Sequence, residues 1–132
     1  MVKRFGFGKT EKLKSRKKID ELFARGRSFT ITPIRVSYQF SHETKEGILQ
    51  AGVSVSKKHF KKAVDRNRIK RLLREAYRLQ KNELKEIIKQ KEMQGFVFFI
   101  YIDKTIAPFS VIKEAMNKSL LRLQKSANEN RS

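Results

Sequence analysis

Between Ile34 and Phe40 the chain alternates strictly, with Ile34, Val36, Tyr38 and Phe40 on one side and Arg35, Ser37 and Gln39 on the other. A period of two marks a strand with one dry and one wet face. A second such run spans Ile48 to Ser56, where Leu49, Ala51, Val53 and Val55 share a side, and the polar stretch Ser41 to Gly47 between the runs reads as a turn. The two strands are expected to pair as a hairpin. A third run, Phe96 to Ile102, is β-branched and aromatic throughout and apolar on both faces, which predicts a strand covered from both sides.

Elsewhere the spacing is helical. Ser15 is a good N-cap for a helix that runs to Arg25 and stops at Gly26, with Ile19, Leu22 and Phe23 as its apolar stripe. From near Ala63 to Gln80, Ile69, Leu72, Leu73, Ala76, Tyr77 and Leu79 fall on one side of a helical wheel, and Asn67, Arg68, Lys70, Arg71, Arg74 and Arg78 on the other. Residues 81–94 continue as a weaker helix around Leu84, Ile87 and Ile88, ended by Gly95. Pro108 fits the first turn of a last helix whose inner face is Phe109, Ile112, Met116, Leu120 and Leu123. Residues 1–14 read as a basic arm, 15–124 as one domain and 125–132 as a polar tail, with no internal repeat.

Composition sharpens this picture. A chain of 132 residues with 39% hydrophobic positions supports one domain with a modest core. Cysteine is absent, so thiol and disulfide chemistry are excluded and a reducing compartment such as the cytoplasm is expected. The amino-terminal basic residues have no apolar run behind them, so no signal peptide is expected. The longest apolar stretch, 96–102, falls far short of the ~20 residues a membrane helix needs. The net charge is +19, concentrated in residues 1–81, which carry 23 basic and 7 acidic side chains against 9 and 6 in the remainder. Solubility needs a net charge of only about 2–8 on a small domain. A field this strong, clustered on one helix, points to a polyanion, and nucleic acid is the partner expected.

Catalytic chemistry is not legible. His42 and His59 stand alone without ligand spacing, and Glu43 with Glu46 belongs to a turn. The stretch Gly6-Phe7-Gly8-Lys9-Thr10 lacks the spacing and the preceding strand of a phosphate-binding loop. Gln94 to Tyr101 partly imitates an RNA-recognition sheet motif, but Val97 replaces a small residue and no strand follows. No metal, cofactor or small-molecule substrate is expected to bind the protein itself.

The basic helix carries the argument instead. Arg66 falls near Tyr77, on the apolar side, where an unpaired arginine would be very costly. It is therefore expected in the first turn, beyond the edge of the core, together with Asn67 and Arg68. There, open backbone N–H groups and the helix dipole favour phosphate, which guanidinium groups grip bidentately. Asn67 can both donate and accept, so it suits a base edge or orients its neighbours. Lys57, Lys58, Lys61 and Lys62 approach the same helix end.

The run Arg66-Asn67-Arg68-x-Lys70-Arg71-x-x-Arg74, preceded by Gly52-x-Ser54-Val55-Ser56-Lys57-Lys58, resembles the bacterial ribonuclease P protein subunit. The likeness continues in order through Leu22, Phe23 and Gly26, the strands, the basic helix and the closing helix. It implies an α+β two-layer sandwich of order α-β-β-β-α-β-α with a left-handed βαβ crossover. It also implies binding to the ribonuclease P RNA through Lys57, Lys58, Arg66, Asn67, Arg68, Lys70, Arg71 and Arg74. The same resemblance places the 5′ leader of precursor tRNA in a cleft between the first helix and the sheet. Ile19, Phe23 and Tyr38 are the cleft candidates, with Ser37 in place of Tyr38 if the preceding loop holds an inserted residue. Ile19 stands where many relatives have an aromatic, and Phe23 can serve either as core or as a stacking platform. Catalysis is then expected of the RNA and its Mg2+. A ribosomal or other structural RNA-binding protein is the alternative, and it would need no such cleft.

Overall fold

A computed structural model of the chain describes residues 11–43 and 46–129. Most of the proposed arm and the end of the tail lie outside these residues. Helix α1 spans Arg16–Arg25, strand β1 Arg27–Ile31, β2 Ile34–Ser41, β3 Ile48–Val55, helix α2 Ala63–Gln80, α3 Asn82–Gln90, strand β4 Gln94–Tyr101 and helix α4 Phe109–Glu129. The strands form one sheet of order β1-β2-β4-β3, antiparallel except for the parallel pair β3–β4. The architecture is α+β, and α2 with α3 makes the crossover between the parallel strands.

The expected hairpin between residues 34–40 and 48–56 does not form. β4 lies between β2 and β3 and pairs with both, while the hairpin partner of β2 is β1. The reason is burial: β4 is apolar on both faces and gains most at a position covered on both faces and both edges. Its alternation serves two cores. Val97, Phe99 and Tyr101 join α2, α3 and α4 through Leu73, Tyr77, Ile88, Ile112 and Leu120. Phe96 and Phe98 point the other way, to Leu22 of α1 and Leu13. Burial pushes the phenol pKa values of Tyr77 and Tyr101 up.

Local signals fix the helix ends. The Ser15 hydroxyl accepts from the Lys18 N–H at 3.3 Å, and the Gly26 N–H donates to Leu22 O at 2.8 Å. Three boundaries differ from the expected ones. Residues 82–90 form a separate helix after a bend at Lys81, which turns Leu84 and Ile88 into the core. Its stop is at Glu92, in the left-handed region with φ 52°, and not at Gly95. Gly95 lies inside β4, where a Cβ would come within 2.9 Å of Leu49 Cδ1. Finally, α4 continues through most of the expected tail to Glu129, because Ala127 is buried and Lys91 Nζ donates to the carbonyls of Ala127 and Asn128 at 3.0 and 2.8 Å.

Candidate nucleic-acid interface

Helix α2 packs Ile69, Leu73, Ala76 and Tyr77 into the core, which leaves its opposite side to solvent. Asn67, Arg68, Arg71 and Arg74 are exposed on that side, and Lys70 is half-buried beside them. Arg78 leaves this array: it forms an ion pair with Glu75 at 2.5 Å, which holds the Glu75 carboxyl below its usual range. The N-cap residue, Lys62, supplies no side-chain hydrogen bond to the first turn. Lys57 and Lys58 are exposed on the loop leading into α2, where Ser56 Oγ accepts from the Lys58 N–H at 3.2 Å. Phe60 anchors that loop by burying its ring against Tyr101, with centroids 6.1 Å apart.

Arg66 takes a different task from its neighbours. It lies in the first turn of α2, half-buried, but its Nη1 turns back to donate to the carbonyls of Phe60 and Lys61, each at 2.8 Å. The guanidinium braces the loop that presents Lys57 and Lys58. We therefore expect Arg66→Ala to cost about 1–2 kcal/mol of stability by leaving those carbonyls short of a donor. Urea unfolding measures the loss, and amide exchange should show the Phe60 N–H, bonded to Ser56 O at 3.3 Å, opening first. An unchanged midpoint with unchanged exchange would assign Arg66 to the ligand alone.

A second feature lies on the opposite face of the sheet, beside α1. Phe23 is 49% exposed and stands edge-on against Phe98, with centroids 5.4 Å apart at 83°. It is thus a projecting ring and not core. Ile19, half-buried, adjoins a groove of about 360 Å³ lined also by Lys12, Lys14, Gly52, Arg74 and Phe98. Tyr38 does not belong to this cleft. Its register partner is Val97, its ring packs on Phe29 and Phe40, and its hydroxyl lies 3.3 Å from Ser126 Oγ of α4. Ser37, opposite Phe98 in the register, occupies the cleft face instead. Sequence reasoning missed Phe98 and the groove residues Lys12, Lys14 and Gly52. The parity of β4 could have found Phe98, since it faces the same side as Phe96.

A family model described as Ribonuclease P matches residues 7–125. The chain belongs to the ribonuclease P protein family. Among curated relatives, the ribonuclease P protein component of Porphyromonas gingivalis is 38% identical over 119 residues, covering 90% of this chain and 87% of that protein. The ribonuclease P protein component of Dictyoglomus thermophilum is 40% identical over 85 residues, 64% of this chain and 68% of its own. The fold is that of the Staphylococcus aureus RNase P protein, with a TM-score of 0.64 at 21% identity over 89% of this chain and 97% of that one. Ribonuclease P membership makes this a component of a tRNA-processing ribonucleoprotein. Among the described residues, no helix is long and apolar enough to cross a membrane.

Proposed function

We propose that this chain is the cytoplasmic protein subunit of ribonuclease P that binds the catalytic RNA with the outer face of α2 and the 5′ leader of precursor tRNA in the cleft beside α1. The observation that carries the reading is the row of exposed cations Arg68, Arg71 and Arg74, at the family's motif spacing, on a helix whose other side packs Ile69, Leu73, Ala76 and Tyr77 into the core. Asn67, Lys70, Lys57 and Lys58 complete that surface, and Arg66 steadies it. A phosphate backbone meeting these groups releases counterions and exchanges them for charge-assisted hydrogen bonds. Phe23 supplies a ring on which an unpaired base can stack without regard to its identity, Ile19 lines the adjoining groove, and Ser37, buried, lies on the same face of the sheet opposite Phe98.

The division of labour follows. The RNA and its Mg2+ perform the hydrolysis of the phosphodiester at the mature 5′ end. The protein contributes affinity and holds the leader, so binding energy from a non-reacting part of the substrate positions the reacting one.

The test is reconstitution at low Mg2+. The protein, the ribonuclease P RNA of the same source and a 5′-extended precursor tRNA are combined, with protein alone and RNA alone as controls. Cleavage at the mature 5′ end that needs both components is the expected result. Tight RNA binding without any gain in cleavage would move the chain to the structural RNA-binding proteins.

A further inference from the structure

Glu11 is the only acid among the first nineteen residues, in a segment otherwise rich in lysine and arginine. Its Oε1 lies 2.8 Å from Lys81 Nζ and 2.9 Å from Lys85 Nζ. Lys81 sits at the bend between α2 and α3 and is 1% exposed. A buried ammonium is costly unless a carboxylate meets it, so Lys81 selects one location for Glu11. Two further contacts complete the docking. Leu13 is buried, its N–H donates to Ala51 O at 2.9 Å, and Lys12 bridges Ala51 in parallel register. Residues 11–14 therefore lie along the outer edge of β3 and close the sheet there.

Docked this way, the segment forms one wall of the groove described above. Lys14 lies on that wall, Arg74 of α2 also lines the groove, and Ile19, Gly52 and Phe98 complete the lining. Gly52 lets the Phe98 ring lie flat against β3 at the floor of the groove: a Cβ there would come within 2.5 Å of Phe98 Cε1. The groove thus joins the cleft at Phe23 and Phe98 to the basic face of α2.

We propose that Glu11 is a positioning residue for single-stranded RNA: by clasping Lys81 and Lys85 it sets Lys14 so that, with Arg74, it holds a leader phosphate beyond the stacked base. This rests on the leader reading of the cleft and extends it to a second subsite. Glu11 itself touches no RNA and acts through Lys14.

The test uses the assembled holoenzyme carrying Glu11→Gln, Lys14→Gln or both. Each is titrated with precursor tRNA and with mature tRNA, which has no leader. Each single change should weaken precursor binding about fivefold and lower its salt slope by about 0.7, the single-strand value for one phosphate. The loss should be confined to the leader-dependent part of binding, and the double variant should be no weaker than either single one. In Glu11→Gln the Leu13 amide should exchange faster while β4 amides stay protected. Additive losses, equal losses on both tRNAs, or an unchanged Leu13 amide would overturn the proposal. If Glu11→Gln exposes β4 as well, Lys14→Gln decides alone, and its binding precursor tRNA like the parent overturns the subsite. A parent that binds both tRNAs alike overturns the leader reading and this inference with it. A parent that discriminates, matched by Glu11→Gln, overturns this inference only.

Discussion

Replacing Arg68 and Lys70 together by alanine is expected to weaken binding to the ribonuclease P RNA by at least about 100-fold, because each charge-assisted hydrogen bond to phosphate contributes about 1.5–3 kcal/mol. Fluorescence anisotropy over a potassium chloride series reads both the affinity and its salt dependence. For about five neutralised phosphates the parent slope of log affinity on log salt lies near −3.5 to −4.5, and the variant should be shallower by about 1.4–1.8. The fold should survive. Arg68 is exposed, and the helix holds its place through Ile69, Leu73 and Tyr77 on the other side. Removing two like charges from a +19 chain also relieves self-repulsion. An unchanged salt slope would mean that these cations do not meet phosphate. Loss of cooperative unfolding would make them part of the scaffold.

That prediction rests on a helix whose limits and wet face were readable from periodicity alone, since a fully amphipathic run of eighteen residues leaves little freedom. α1 was equally legible through Ser15 and Gly26. Strand order was not, because pairing is a non-local choice. β2 and β3 each show one apolar face, and only the two-sided burial of β4 decides that it separates them. β1 carries a single buried residue, Phe29, and so gives almost no period of its own. Arg66 stands out on the wheel as misplaced, but its partners are backbone carbonyls of a loop whose path no pattern encodes. Two other signals lie in the sequence. Tyr77, Lys81, Leu84 and Ile88 follow one another at spacings of four, three and four, which puts a lysine in an apolar stripe and asks for a buried acid. Tyr38 shares the parity of Ile34 and Val36, so the alternation itself assigns it to the core face and gives the cleft face to Ser37.

The same parity sets up the sharpest contrast between two aromatic side chains. Phe23→Ala should remove about 1–3 kcal/mol of leader-dependent affinity, the worth of one base stacked on an aromatic ring. Its stability cost should be smaller, because the ring is half-exposed and its principal partner is the edge contact with Phe98, a geometry worth about 0.5–1.5 kcal/mol beyond burial. Tyr38→Phe should do the reverse. It deletes a hydroxyl that meets Ser126 on α4, behind the sheet as seen from the cleft, so stability falls by about 1 kcal/mol and leader binding stays at the parental level. Affinities of the two holoenzymes for precursor and mature tRNA, set beside their thermal midpoints, separate the cases. A leader-specific loss in Tyr38→Phe would mean that the leader crosses to the α4 side, where Arg25, Arg27, Tyr38 and Gln39 border a groove at the end of α1. No leader-specific loss in Phe23→Ala would leave the projecting ring without a ligand and return the cleft to the sheet's own packing, since an exposed phenylalanine that stacks on nothing loses only its contact with Phe98 when truncated.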